Sequence, residues 1–503
     1  MAAADRLSQL QAKWDPTRAR NVDQEFEEVN LEEGDVCFKL NPKILSLSSG
    51  FRAFTNKKWE QHYRTPQEAL EPIQDEARTV WCGGFSHNPQ KLEARAGGAI
   101  WYGRNSDCNR PVLLRKSERQ VAATATVAAV LGAINECPEN IRLRCIVLND
   151  QVFEAITKKL AGWNDLGFTG IKDATLYRAL LSKLRHRKAP TLFGKATPQD
   201  KSIRKEVNTL AKIASTIVGP VNGSDIAAIS ESIPKGVKVT EMTQAIAYQT
   251  IKEMTIPKPR PRTEDIMGKI QKDIQAATGT APVPEIIWRG IRNPLIPRRA
   301  RNFMYMAVHG ALRIGNFWKH IPNCEERVNC DFCGMEENLE HILFKCQRPW
   351  RKMVWDIVEE LWLKSNPDAL WLEPALGTTL GCCSFPAPSK TQRKENPVQD
   401  RLYRILMIEA GHFIWKLRCE IVIERKNEDI TIPEAHGRWT HTLNRRLEKD
   451  QKLTAKRWKN NRIPRTVVLD TWNTIIKRIT DLPDDWVGET GVLVGVRPYT
   501  DFG

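Results

Sequence analysis

The chain contains no apolar run long enough to cross a bilayer. Its longest uncharged, mostly apolar stretch, Val121–Ile134, has 14 residues, against about 20 for a spanning helix, so no membrane partner is expected. The N-terminus, MAAADRLSQLQAKWDP, lacks the basic segment and apolar core of a secretory leader. The expected setting is therefore intracellular, nuclear or cytoplasmic, and not secreted. In such a reducing compartment the twelve scattered cysteines are thiols or metal ligands and not a disulfide framework. Carboxylates are in deficit, with 60 Asp and Glu against 76 Lys and Arg, a net charge of +16. That balance favours an anionic partner such as nucleic acid, although alone it establishes only solubility and non-specific attraction. At 503 residues the chain exceeds one ordinary core, and its 41% hydrophobic content suffices for globular folding.

One stretch carries specific chemistry. Cys330–Cys346, CDFCGMEENLEHILFKC, has the pattern C-x2-C-x7-H-x4-C. Zn2+ takes about four N or S ligands in a tetrahedron. A C-x2-C knuckle closing on Gly334 lets Cys330 and Cys333 face one ion, and His341 and Cys346 complete the set. The bland alternative is free buried thiols beside a packed histidine. Downstream, Trp350, Met353, Val354, Ile357, Val358, Leu361 and Trp362 fall at helical spacing, so the module is expected to dock on a helical core. Cys382-Cys383 has the wrong spacing for a knuckle. His309 and His320 read as packed or exposed side chains, and His412 as packed with the core residues of a helix over 401–425.

Six segments are expected. Residues 1–77 form an accessory lead-in whose acidic stretch reads as solvated surface and whose Phe38, Phe51 and Phe54 pack on the domain that follows. Residues 78–215 alternate as three strands, helix, strand, helices, strand, helix, which describes a mixed five-stranded sheet with helices. Residues 216–283 are a linker with a helix, and 284–374 a helical zinc-binding domain. Residues 375–399, rich in Gly and Pro, read as a flexible loop, and 400–503 as a helical basic region.

Several words of the sequence resemble those of a known family. ARAGGAIWYGRNSDCN (94–109) is similar to the second hairpin of type 1 ribonuclease H domains in fungal non-LTR retrotransposon polyproteins. The longer segment 155–193, AITKKLAGWNDLGFTGIKDATLYRALLSKLRHRKAPTLF, is similar to the helix-loop-helix-strand segment of the same domains. Segments 239–254, 286–322 and 481–496, with the Cys/His module between them, resemble the region beyond ribonuclease H in those elements, the reverse-transcriptase-associated zinc-binding domain. The resemblance covers nearly everything from Phe51 onward, and the chain looks like a detached C-terminal portion of such a polyprotein.

The resemblance implies an α/β ribonuclease H-like fold, cleavage of RNA in RNA/DNA hybrids, and two Mg2+ ions held by four carboxylates. This sequence departs from that pattern at each position. Gly83 stands where the first-strand Asp belongs, Thr126 where the first-helix Glu belongs, Leu148 at the second Asp and Asn208 at the last. The family's Lys-Gly-His-Ser loop is replaced by Thr197-Pro198-Gln199-Asp200. Neutral side chains do not replace anionic oxygen donors to Mg2+, so hybrid cleavage is expected to be lost. Asp150, with Asp200 or Glu206, is the alternative through which a relocated site could survive.

Asn444–Arg465 carries nine Lys or Arg against two acids. Arg445, Arg446, Lys456, Arg457 and Lys459 are expected to meet phosphates, and Trp458 to stack on an unpaired base. A solvated basic helix with Trp458 buried is the alternative. The expectation is thus a retroelement-derived, nucleic-acid-binding protein (RNA, DNA or hybrid) with structural Zn2+ and without bound Mg2+. A residual hybrid ribonuclease and an interaction scaffold or element remnant are the competing readings.

Overall fold

A computed structural model describes residues 26–30, 35–38, 51–55, 74–217, 236–255, 258, 260–365, 367–390 and 397–502. It divides into two compact units, 1–257 and 258–503. Among the described residues no helix is long and apolar enough to cross a membrane.

The first unit is built on a sheet. Its strands are β1 (Phe26–Asn30), β2 (Asp35–Phe38), β4 (Gln74–His87), β5 (Arg95–Trp101), β6 (Arg110–Leu113), β7 (Ile141–Val147) and β8 (Thr191–Lys195), in the order β1-β2-β8-β7-β4-β5-β6. β4 is central. It runs antiparallel to β5, with Cys82 opposite Ile100 and Gly83 opposite Ala99, and parallel to β7, with Val80 opposite Cys145. The five strands β4 to β8 form the mixed sheet expected from the sequence. Two more strands correct that count: β2 pairs antiparallel with β8 and carries β1 outside it. Part of the presumed lead-in is therefore sheet. Phe38 is buried in the core and Asp35, also buried, accepts from Arg144 Nε at 2.7 Å. Phe51 is exposed, and residues 39–50 and 56–73 lie outside the described residues.

Side chains alternate across β4 because a strand has period two. Val80 and Cys82 face a core built with α1 (Ala122–Glu136) and α4 (Ala174–His186). Trp81 and Phe85 face α5 (Lys201–Thr216), with Ala99, Val207 and Ala211. Between β7 and α4 the chain passes through α2 (Asp150–Glu154), a π-helical turn Ala155–Lys159 and α3 (Leu160–Asp165). Glycines let the covering helices approach the strand backbone. A Cβ on Gly84 would lie 2.3 Å from the Ala122 carbonyl oxygen, and one on Gly97 2.4 Å from Ala214 Cβ. A short ladder, β3 (Arg52–Ala53) with β9 (Val237–Lys238), and α6 (Gln244–Met254) complete the unit.

The second unit is helical: α7 (Pro261–Thr278), α8 (Pro284–Ile291), α9 (Arg298–Val308), α10 (Pro349–Ser365), α11 (Leu376–Leu380), α12 (Pro397–Ile423), α13 (Ile432–Lys452) and α14 (Arg465–Trp472). One continuous core holds Trp350, Trp362, Trp439, Trp472 and Trp486, all nearly inaccessible. The stretch expected as linker, 216–283, is divided. Its α6 belongs to the first unit, α7 buries Met267, Ile270 and Ile274 in the second, and 218–235 lie outside the described residues. The expected flexible loop is corrected over 375–390. Leu376, Leu380, Cys382 and Phe385 are core residues, and the Gly377 N–H donates to Asp273 Oδ2 at 2.8 Å. Its glycines serve close packing: a Cβ on Gly377 would meet Asp273 Cβ at 2.5 Å. Residues 391–396 lie outside the described residues.

Candidate metal centre and nucleic-acid surfaces

The knuckle begins as a tight turn. The Cys330 N–H donates to the Met335 carbonyl at 2.8 Å and the Gly334 N–H to the Cys330 carbonyl at 2.8 Å, with Gly334 at φ +69°, where only glycine sits without strain. Asn338 Oδ1 accepts from the His341 N–H at 2.9 Å and opens the π-helical turn His341–Lys345; the Cys346 N–H closes it on the His341 carbonyl at 2.7 Å. The two turns bring the predicted residues together. One donor atom from each of Cys330, Cys333, His341 and Cys346 lies within 4.8 Å of the others, with Cys330 Sγ 3.9 Å from Cys346 Sγ and Cys333 Sγ 3.2 Å from His341 Nε2. A tetrahedron with Zn–S bonds of about 2.3 Å has S···S edges of roughly 3.8 Å, so the donor set fits such an ion. Bound there, a metal would crosslink two turns. Four protein donors leave it no open coordination position, the mark of a structural site.

The Cys330–Cys346 contact favours thiolate on Cys330. The hydrogen bond from Cys346 is the largest cause holding the Cys330 thiol down, to about 3, while the same contact and burial raise Cys346. Arg351 Nε donates to the Cys346 carbonyl at 2.5 Å. Arg348 is buried between Asp331 (2.9 Å) and Asp429 (2.6 Å) and stacks on Phe332 with its guanidinium 5.0 Å from the ring centre. Glu337, also buried, pairs with Arg418 of α12 through both its oxygens. Trp355 of α10 donates to the Leu343 carbonyl at 2.8 Å. These anchors were not recognised in the sequence, since Glu337 and Arg418 stand 81 residues apart and no spacing joins them.

The four positions where the resemblance calls for carboxylates do not form a shared pocket. A Cβ on Gly83 would meet Val207 Cγ1 at 2.7 Å and Leu148 Cδ2 at 3.4 Å. The space beside the central strand is thus filled by apolar side chains. Thr126 lies on the opposite side of the sheet, against Gly84, with its hydroxyl donated to the Ala122 carbonyl at 2.9 Å. Asn208 is exposed: Val207, Ala211 and Ala214 form the buried stripe of α5, and position 208 is turned about 100° from it. Asp150 is exposed in the first turn of α2, behind Asn149, which caps the Val152 N–H at 3.1 Å. Asp200 is engaged by the Thr197 N–H and hydroxyl at 2.7 and 2.9 Å. Among the described residues, the Cys3His set is the one group of three or more Cys, His, Asp or Glu donors close enough to hold an ion.

The basic segment is not one helix. α13 ends at Lys452 and a 3-10 turn, Lys456–Asn461, follows. Arg445, Lys456 and Arg457 are exposed. Trp458 is 40% exposed, with the Arg457 guanidinium 5.3 Å from its ring centre and its N–H donated to the Lys452 carbonyl at 2.9 Å. The Lys459 side chain lies outside the described residues. Arg446 corrects the expectation. It is buried, 3.3 Å from Glu409 and 3.0 Å from the Leu295 carbonyl, beside the inaccessible Asp450 that also takes Arg401 and the Trp472 N–H. A side chain spent on that network is not available to phosphate.

No protein-family model and no curated protein matches the chain. Among solved structures it is similar to a foamy viral protease-reverse transcriptase in complex with an RNA/DNA hybrid. That match has 17% identity and TM-score 0.25, covering 32% of this chain and 24% of that one. The chain thus spans about a quarter of that protein's length, an overlap too slight to carry an argument. The chain's own geometry defines a mixed-sheet α/β unit and a helical unit with a Cys3His cluster able to hold a metal such as zinc.

Proposed function

We propose that the protein binds nucleic acid through cationic surfaces, that its Cys3His centre holds structural Zn2+, and that its ribonuclease H-like sheet does not cleave RNA/DNA hybrids. The observation that carries the reading is the apolar packing of Gly83, Leu148 and Val207 where a two-metal nuclease needs converging carboxylates. Retention of the fold without its catalytic donors leaves binding as the role that a net charge of +16 supports. The resemblance to non-LTR retrotransposon polyproteins makes a retroelement origin the natural source, with RNA, DNA or their hybrid as the partner. Arg445, Lys456, Arg457 and Lys459 are the proposed phosphate contacts, with Trp458 beside them. Fluorescence anisotropy of labelled duplex, hybrid and single strands across a salt series tests the reading. Binding that weakens linearly in log-log form with salt supports it, and no binding at 50 mM salt would overturn it.

A further inference from the structure

Three rings meet at the surface of the second unit. Trp288 of α8 lies 6.0 Å from Tyr305 and 5.1 Å from His309 between ring centres, and Tyr305 and His309 are 4.4 Å apart, edge to face. Tyr305 is 49% exposed, although a ring of that size ordinarily covers its face. His309 is fixed by Thr263, whose hydroxyl lies 2.9 Å from Nδ1. The rings therefore form a small aromatic platform whose Tyr305 ring is about half open to solvent.

The platform is framed by cations. Arg292, the C-cap of α8, follows Trp288 by about one helical turn. Arg262 runs along the residue after His309: a Cβ on Gly310 would lie 3.4 Å from Arg262 Cβ and 3.6 Å from its Cδ. Arg260 is close enough to act electrostatically on His309. All three arginines are exposed, and among the described residues no carboxylate pairs with them. The stretch 258–314 holds eleven Lys or Arg against four Asp or Glu, a local net charge of +7. Exposed cations alone indicate solvation, and an exposed ring alone indicates little. Exposed guanidinium groups beside an open aromatic ring complement one ligand, a strand with negative phosphates and unpaired flat bases.

We infer that the Trp288–Tyr305–His309 platform binds single-stranded nucleic acid, stacking a base on Tyr305 while Arg260, Arg262 and Arg292 meet the flanking phosphates. The inference rests on the nucleic-acid-binding reading above and locates a surface separate in sequence from Arg445–Lys459. A duplex keeps its bases stacked on one another, so it gains from the arginines and not from the ring.

The test uses the full-length protein with labelled 20-nucleotide single strands of RNA and DNA, and a duplex of the same length, in anisotropy titrations. Tyr305→Ala is expected to weaken single-strand binding by roughly tenfold, as one lost stacked base implies, with duplex binding unchanged. Tyr305→Phe should restore it, since the phenyl face remains. Arg260→Gln with Arg262→Gln should flatten the single-strand salt slope by about 1.4, two contacts at about 0.7 each. Wild-type protein that binds while Tyr305→Ala binds both ligands equally well overturns this inference and leaves the broader reading standing. Wild-type protein that binds no nucleic acid overturns both. Tyr305-dependent binding to anionic phosphatidylserine vesicles without any to single strands would show that a lipid surface is the occupant and also overturn it.

Discussion

Gly83 shows how much a single missing side chain decides. Its absent Cβ is replaced by Val207 Cγ1, so the position is filled from α5. Gly83→Ala is expected to cost about 1–3 kcal/mol, as overpacking does, and Val207→Ala in the same chain should recover part of that loss. Urea unfolding of the two single variants and the double variant checks this; strictly additive losses would show that the two residues are not in contact. Restoring an acid at Gly83 accordingly requires Val207 to be cut back. A second residue gives a pH dependence. Burial first, then Lys416 and Arg299, push His412 down from 6.5 to about 4. A base depressed in the folded state contributes full stability above its unfolded value, and that stability is lost as pH falls from about 6.5 toward 4. His412→Phe, which keeps a ring beside Phe303, should flatten the acid limb of the melting profile between those values. An unchanged limb would place the acid sensitivity elsewhere.

At the scale of elements, the metal module is the part whose geometry was most legible. Ligand types at short spacing, a glycine after the second Cys and an amphipathic helix behind them all point to one local turn, and local turns are what a sequence encodes most directly. Elemental analysis is expected to find about one equivalent of zinc, with Cys333→Ser reducing it and chelation lowering the second unit's thermal midpoint; less than half an equivalent in the wild type contradicts the site. The strands were legible for a similar reason, since Val80 and Cys82 on β4 and Ile141, Leu143 and Cys145 on β7 recur at period two. Residues 375–390 were not. Gly377 and Gly381 signal a loop to any local reading, yet they are glycine because α7 comes too close for a Cβ. Arg446 was misread because charge counts carry no direction. On α13 it falls on the face of Leu443, Leu447 and Asp450, turned inward, while Arg445 is turned out. Replacing Arg445, Lys456 and Arg457 by Gln should therefore weaken binding of all nucleic acids alike and reduce the salt slope. Arg446→Gln should instead destabilise the fold, by about 3–5 kcal/mol if the buried Glu409 is left charged and without its partner. Circular dichroism melts separate the two effects.

The whole molecule combines a sheet whose strand β4 is covered by apolar side chains with a helical unit that carries a metal-ready cluster and exposed cations. Cores and ligand sets are independent: Val80, Ile100, Leu131, Ile156 and Phe193 pack whether or not acids converge nearby. Removing like charges from around an empty site also removes their mutual repulsion. The sequence resemblance suggested a mixed sheet through the strand words and set Gly83, Thr126, Leu148 and Asn208 where it calls for acids. What it could not convey was that Val207 and not Asn208 faces the central strand, because that depends on the rotation of α5 against β4. The most direct measurement is incubation of full-length protein with an end-labelled RNA/DNA hybrid in millimolar Mg2+ or Mn2+, followed by denaturing electrophoresis. The account predicts an intact RNA strand at every protein concentration. Metal-dependent cleavage that disappears in Asp150→Asn would contradict it.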